Sequence, residues 1–536
     1  MAATDEHVPV LIVGGGYAGL ASALFLARQG VRALLVDRHP GVSIQGRARG
    51  INQRTMEIYE PFGVAGRIRE AGRPFDSEAG VVRCRTLTGD WHWILDEDTP
   101  RDWPALTAGD FVMADQRSVE PILADQIRAE GGRILTDTHC VSVRAQPDHV
   151  VAVLHDRAGG DRRTVRAGYV IAADGTSSGV RDQAGIGRTG PGTTQHWVSI
   201  VIEADLEEIV SKRAMLWIVA NDEVRLGSLL TTSVPGQWTV SLTYDPALEA
   251  PGDFTPARCQ AVARAVIGAQ VPVRVLDVAH WQEAVAVADR YRAGRILLVG
   301  DSAHVWPPTG AMGANAAVQD AHNLAWKLAG VVNGWAADSL LDSYQAERRP
   351  VAQALARLTV RRQQARFGRE LGEEDVDDVL CTLGQRYTSA AVLDAAYDEV
   401  FADRLELTGW PGTRTPYLRL RLDGRPISVH DLFHDAFVLL TGPGGAGWLE
   451  AAAKASAHSG APLRAYRVGP AAAGAELVDV DGAWPDRTGL GADGALLVRP
   501  DGYVAWRAPA SGRPGAGGDP AARLGDALRQ VLGTGS

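Results

Sequence analysis

Lysine is nearly missing from this chain of 536 residues: only Lys212, Lys327 and Lys454 occur, so almost all positive charge is arginine. A GC-rich coding bias accounts for that without a functional demand. The four cysteines, Cys84, Cys140, Cys259 and Cys381, are widely scattered. They form no CxxC or ligand spacing, which excludes a disulfide framework and argues for no metal site. No apolar run approaches the roughly 18–20 residues needed to cross a bilayer, and "MAATDEHVPV" lacks the basic and apolar regions of a signal peptide. A cytoplasmic location without a membrane span is the expectation. Excess positive charge is also lacking: the net charge is -10, which speaks against nucleic acid or an anionic membrane as the main partner. The length is too great for one core and implies several domains.

What is present begins at the N-terminus. "VPVLIVGGGYAGLASALFLARQGVRALLVDRHP" reads as strand, glycine turn, helix and second strand. The apolar run Val8–Val13 feeds a GxGxxG at Gly14, Gly16 and Gly19, with Tyr17 and Ala18 between the last two. Gly14 suits the tight turn, Gly16 lets a pyrophosphate approach the backbone, and Gly19 permits close helix–strand packing. The helix N-terminus then presents unpaired N–H groups to phosphate. Asp37 lies 23 residues after Gly14, near the spacing of about 20 expected of an acid on a ribose hydroxyl. The pattern predicts dinucleotide binding without choosing between nicotinamide and flavin.

Two later motifs narrow the choice. "YVIAADGTSSGVR" at 169–181 ends an apolar strand in Asp174-Gly175, and "RILLVGD" at 295–301 ends another in Asp301. The second runs into "SAHVWPPTGAMGANAAVQD", where a stiff double proline and a nearly bare loop precede a helix. An ordinary turn needs only two or three such residues. This one is suited to laying backbone against a flat group.

Taken in order, the three motifs resemble the para-hydroxybenzoate hydroxylase fold, the class A flavoprotein aromatic monooxygenases, over residues 8–360. The stretches "ARGINQRTMEIY" at 48–59 and "ALLVRPDGYVAWR" at 495–507 resemble its aromatic polyketide hydroxylase branch. The resemblance implies an α/β fold. A Rossmann-like FAD-binding domain (1–190 and 291–372) carries an inserted antiparallel β-sheet substrate domain (191–290). A connector (373–409) then leads to a thioredoxin-like C-terminal domain without cysteines (410–536). It implies FAD as cofactor and NADPH or NADH as transient reductant, O2 and a small-molecule aromatic polycycle as partners, and leaves a homodimer open. It further implies ring hydroxylation through a flavin C4a-hydroperoxide. Baeyer–Villiger insertion, epoxidation and oxidative rearrangement remain alternatives on the same scaffold, as does a non-catalytic flavin or partner-binding relative.

Carried over by position, Asp37 with Arg38 beside it would hold the adenosine ribose. Arg47 would face flavin and nicotinamide, and Gln116 would sit near the ribityl chain and phosphates. Asp174 is associated with both cofactors, and Asp301 would hold the ribityl chain. Pro308, Gly313, Ala314 and Asn315 would wall the isoalloxazine, the helix-start N–H groups of Ala314 and Asn315 stabilising the charge of reduced flavin. Met312 departs from the polar residue often found there.

Between these motifs, "HWVSIVIEA", "RAMLWIVA", "RLGSLLTT" and "QWTVSLTY" read as short strands. With 14 tryptophans in the chain, Trp197, Met215, Trp217, Leu229 and Trp238 are candidates for an aromatic pocket wall, each also suited to plain core packing. Arg213 and Arg225 could hold a carboxylate in a smaller substrate. The catalytic base is unknown; His304, His196 and Tyr244 are weak candidates. "WHWILD" at 91–96 is superficially like a flavin-dependent halogenase motif. It carries Asp96 in place of proline, and no lysine precedes residue 212.

Overall fold

The computed structural model describes residues 6–45, 48–95, 102–210, 214–366, 376–405, 408–513, 515 and 517–535. Three large sheets organise them. The first is built on Glu6–Val13, whose Val10, Leu11 and Ile12 are wholly buried, as a parallel strand covered on both faces requires. Ala33–Val36 pairs with it in parallel on one side and Arg162–Ala172 on the other, with Ile296–Leu298 beyond the latter. In register, Val13 lies beside both Val36 and Ala172, and Ala172 beside Leu298. The glycine turn, the DG motif and the GD motif therefore emerge side by side from the carboxyl edge of one sheet, where doubly wound folds bind ligands.

Two helices pack together behind that edge. Tyr17–Arg28 contains no β-branched residue and starts at Gly16 without a side-chain cap. Met312–Val332 is buried on nearly every face. Gly300 lets the strand end meet both: at φ +60° a Cβ there would lie 2.9 Å from Ala18 Cβ and 3.0 Å from Ala317 Cβ.

The second sheet runs in the order His304–Val305, Arg274–Ala288, Arg188–Glu203, Gln237–Tyr244, Gly227–Thr231, Ala214–Val219, Ala79–Cys84, Trp91–Leu95. All neighbours are antiparallel except Ala214–Val219 with Ala79–Cys84. The chain thus enters this sheet from before and after residues 191–290, and the tryptophans of "WHWIL" belong to its outer strand. The segment read as strands also holds a helix, Pro256–Ile267. Thr255 caps it, Pro256 opens it and the left-handed Gly268 stops it. One face of the sheet packs on that helix to make a second core.

The third sheet runs from Arg425–Ser428 at one edge to Val504–Ala508 at the other, and within it Phe437–Thr441 lies parallel to Leu463–Gly469 and antiparallel to Ala495–Val498. Ala446–Ser459 and the final helix Pro520–Val531 pack together against it. This unit docks on the first through Trp326 and Trp335, which share a core with Phe437. It also docks through buried charge. Glu347 receives Arg499 at 2.6 and 2.8 Å and Lys327 at 2.8 Å, while Glu57 pairs with Arg414.

Candidate functional site

At the phosphate end, a Cβ on Gly14 (φ +110°) would lie 2.2 Å from the Ala173 carbonyl oxygen, and one on Gly19 1.8 Å from the Gly14 oxygen. Only glycine lets turn, helix and second motif meet. Beyond Gly16 there is room: a Cβ would meet only Glu120 Oε1, at 3.9 Å. Gln116 faces the same space, its Nε2 donating to that oxygen at 2.5 Å, on a helix capped by Asp115. Gly15 N–H donates to Asp37 Oδ2 at 2.5 Å and His39 N–H to Oδ1 at 2.7 Å, which fixes the carboxylate at the strand end. Arg38 is exposed beside it, against His39. Tyr17 is buried in the core, and Ala18 packs on Gly300.

Asp174 is engaged locally. It accepts from Ser178 Oγ and from Val180 N–H at 3.1 Å, and so shapes the start of the short helix Gly179–Gln183. Asp301 is exposed at the end of its strand. Arg47 lies outside the described residues. Its neighbours clasp the second sheet: Gln45 Nε2 donates to Asp277 Oδ2 at 2.6 Å, and Arg49 to Thr231 Oγ1 at 2.8 Å and to the Met215 carbonyl.

The loop before the long helix turns through two successive left-handed residues, Gly310 (φ 80°) and Ala311 (φ 53°). For alanine this is strained. Asn315 holds it there, its Nδ2 donating to the Ala311 carbonyl at 2.7 Å and to the Gly50 carbonyl at 2.9 Å, while its Oδ1 accepts from Asn52 N–H at 3.0 Å. No side chain caps the helix that follows. Pro308 is exposed, and Gly313 and Ala314 are half-buried. A Cβ on Gly313 would meet only Trp306 Nε1, at 3.9 Å. Phe111, 44% exposed, lies beside Gly50, and Arg362 reaches Gly310 from the helix Asp342–Arg366. Neither residue carried a sequence motif.

The sheet presents two unlike faces. Trp217, Leu229 and Trp238 do not line the pocket: they point into the core over Pro256–Ile267. His196 and Tyr244 share that face, packed edge to face with each other at 5.7 Å, with Tyr244 on Phe254 at 5.3 Å. Strand alternation therefore turns both away from the other side and removes them as bases there. The opposite face carries Trp197 stacked on Trp281 at 5.4 Å, Trp281 Nε1 donating to Ser199 Oγ at 2.9 Å, and Ser199 and Ser241 hydroxyls 2.8 Å apart. Asp277, held by Gln45, shares this face, so it looks toward the glycine-turn unit. Trp197 Nε1 and Thr239 Oγ1 are buried there without partners. Met215 is half-buried at the sheet end, Arg225 is exposed, and Arg213 lies outside the described residues.

His304 is 1% exposed, its Nε2 2.6 Å from Asp320 Oδ2. Burial pushes the Asp320 carboxyl up, but His304 and Arg348 beside it hold it below its usual value. His304 is thus a buttress, not a base open to substrate. Among the described residues no three His, Cys, Asp or Glu gather as metal ligands.

Two uncapped helix N-termini and an exposed acid at a strand end, set at the carboxyl edge of a doubly wound sheet, are the features of a dinucleotide-cofactor protein. Residues 7–359 match the FAD binding domain family and 408–535 the C-terminal family of aromatic-ring hydroxylases. The tetracenomycin A2 monooxygenase-dioxygenase of Streptomyces glaucescens is 40% identical, covering 94% of each chain. The 4-methyl-5-nitrocatechol 5-monooxygenase of a Burkholderia species is 40% identical, covering 98% of each. The structure of aklavinone-11 hydroxylase in ternary complex with FAD and aklavinone superposes with a TM-score of 0.88 at 37% identity, covering 99% of this chain and 100% of that one. The chain belongs to the FAD-dependent aromatic-ring hydroxylases. The open backbone at Gly16 and Gly313 fits FAD. Among the described residues no helix is long and apolar enough to cross a membrane.

Proposed function

We propose that this protein is a cytoplasmic, NAD(P)H-using monooxygenase that inserts one oxygen from O2 into a phenolic, polycyclic substrate of the aromatic polyketide type. The observation that carries this is the inward sheet face. From Arg274–Ala288 to Ala214–Val219 it spans five strands, about 19 Å at the usual 4.7–4.9 Å spacing, and it combines stacked indoles with a row of hydroxyls. A planar polyketide offers rings to stack and phenol or quinone oxygens for those hydroxyls to read.

Bound FAD, reduced by NAD(P)H, supplies the oxygen activation. In this reading Gly14, Gly16, Gly19, Asp37 and Gln116 hold the adenosine and pyrophosphate, Arg38, Arg47 and Asp174 border them, and Asp301 takes the ribityl chain. Pro308 and Gly313–Asn315 wall the ring, with helix-start amides aimed where negative charge develops. Trp197 and Trp281 set the substrate plane, and Ser199, Ser241 and Thr239 orient its oxygens. The sheet roof keeps water from the reacting carbon. Residues 1–190 and 291–372 serve the cofactor in this division, and 191–290 the substrate. A monocyclic nitrophenol-type substrate is the second reading, favoured by the Burkholderia relative at equal identity.

The test is NADPH oxidation by FAD-loaded protein with anthraquinone and tetracyclic phenols against nitrocatechols, products read by mass. Faster oxidation coupled to a gain of one oxygen on a polycycle supports the proposal, and the product skeleton separates hydroxylation from ring insertion or rearrangement. Turnover confined to the nitrocatechols overturns the substrate class.

A further inference from the structure

Trp306 is a buried residue beside the loop before the long helix whose polar atom has no task yet. It stands between His304–Val305 and the double proline. Its indole lies flat on the His304 imidazole, centroids 4.5 Å apart and planes 9° from parallel. His304 is held from behind by Asp320 Oδ2 at 2.6 Å. Asp320 also accepts from Arg348 Nε at 2.7 Å and from Gly300 N–H at 3.3 Å. His304, Asp320 and Arg348 are all at most 1% exposed. The plane of Trp306 is thus set by a rigid train of side chains beginning on Asp342–Arg366.

Trp306 itself is 9% exposed, and its Nε1 is buried without an acceptor among the described residues. A buried donor left unpaired is costly and rare. Outside the helix's own backbone, the same Nε1 is the one atom of the described residues within 4 Å of the position a Gly313 Cβ would take. Gly313 is the second residue of the uncapped helix, so the indole N–H lies beside the bare amides that border the ring site.

We propose that Trp306 contacts bound FAD: its indole N–H donates to the acceptor edge of the flavin ring, adding a side-chain donor to the helix amides, with His304 as the platform that holds the indole in plane. This rests on the flavin-dependent reading above. Reduction places negative charge on the ring, and a preorganised N–H favours that charge, so Trp306 both tightens FAD and raises the flavin's reduction potential.

Trp306→Phe keeps an aromatic ring for the His304 stack and removes the donor together with part of the indole's volume. A second variant places benzothienylalanine at 306, which preserves the indole's size with sulfur in place of N–H. FAD affinity is measured by titrating full-length apoprotein, and the midpoint potential by dye equilibration of the holoprotein. Both variants are expected to bind FAD about tenfold more weakly, the loss of one hydrogen bond, and to show a more negative potential, with the apoprotein melting temperature unchanged for benzothienylalanine. Wild-type affinity and potential in the benzothienyl variant would overturn the proposal and leave Trp306 a packing residue. Wild-type protein that takes up no FAD would overturn the flavin reading itself.

Discussion

Gly313 and Gly14 are both bare, for opposite reasons. At Gly313 the space is open, since among the described residues outside its own helix a Cβ meets only Trp306 Nε1 at 3.9 Å, and in the proposed reading FAD fills it. At Gly14 the space is filled by the Ala173 backbone. Gly313→Leu, a favourable helix substitution, is expected to give protein that folds and melts like wild type but binds FAD on the order of 100-fold more weakly, the upper range for forcing side-chain volume into occupied space. Flavin absorbance per chain and the apoprotein melting temperature check it. Gly14→Ala should instead lower the melting temperature even without FAD, because the turn cannot close. The glycine fingerprint was legible in sequence because a tight turn makes local demands. Trp306, Phe111 and Arg362 were not, because their roles arise from distant segments meeting at Gly50, Gly310 and Gly313.

Strands of the second sheet were legible as elements, but not which of their faces meets the cofactor unit. Alternation has period two and is symmetric, so Trp197 and Trp238 look equivalent in sequence. Register decides. Trp197 sits opposite Trp281, whereas Trp238 sits opposite Ile202, with shifts at Thr193/Gln195 and Val201/Ile202 that no local pattern marks. The two faces predict a clean contrast. Trp217→Ala, in the core over Pro256–Ile267, is expected to cost about 3–5 kcal/mol of stability. Trp281→Ala, at a residue 36% exposed, should cost less, about 1–2 kcal/mol for the lost Trp197 stack and Ser199 hydrogen bond, and raise the KM for a polycyclic substrate about fivefold, the worth of one aromatic stack. Urea unfolding and steady-state kinetics on both variants separate the two.

For the whole molecule, the decisive contacts join units far apart in sequence. In "SYQAERRP" the adjacent residues Glu347 and Arg348 serve different neighbours. Glu347 receives Arg499 of the C-terminal unit and Lys327, while Arg348 holds Asp320 behind Trp306. Burial pushes Glu347 up, but Arg499 and Lys327 hold it well below the usual carboxylate range. A depressed folded value contributes stability that is present above the unfolded value of about 4.5 and is lost as pH falls from there toward the folded value. Acidification below that point should therefore undock the C-terminal unit before the first sheet unfolds. Glu347→Gln, which takes the carboxylate from buried Lys327 and leaves Arg499 with Asp501, should cost about 3–5 kcal/mol at neutral pH and flatten the acid limb of the stability profile. Melting curves of both proteins across the acid range test this.

The order of strand, glycine turn and helix, the three motifs at strand ends and the bare loop before the long helix were determined by the sequence alone. Each answers a steric or hydrogen-bonding demand within a few neighbouring residues. Which sheet face packs into the second core, that His304 is a buttress, and how Glu347 meets Arg499 152 residues away were decided only by the tertiary structure. Register and buried charge pairing are settled by what lies across space, where local spacing carries no information.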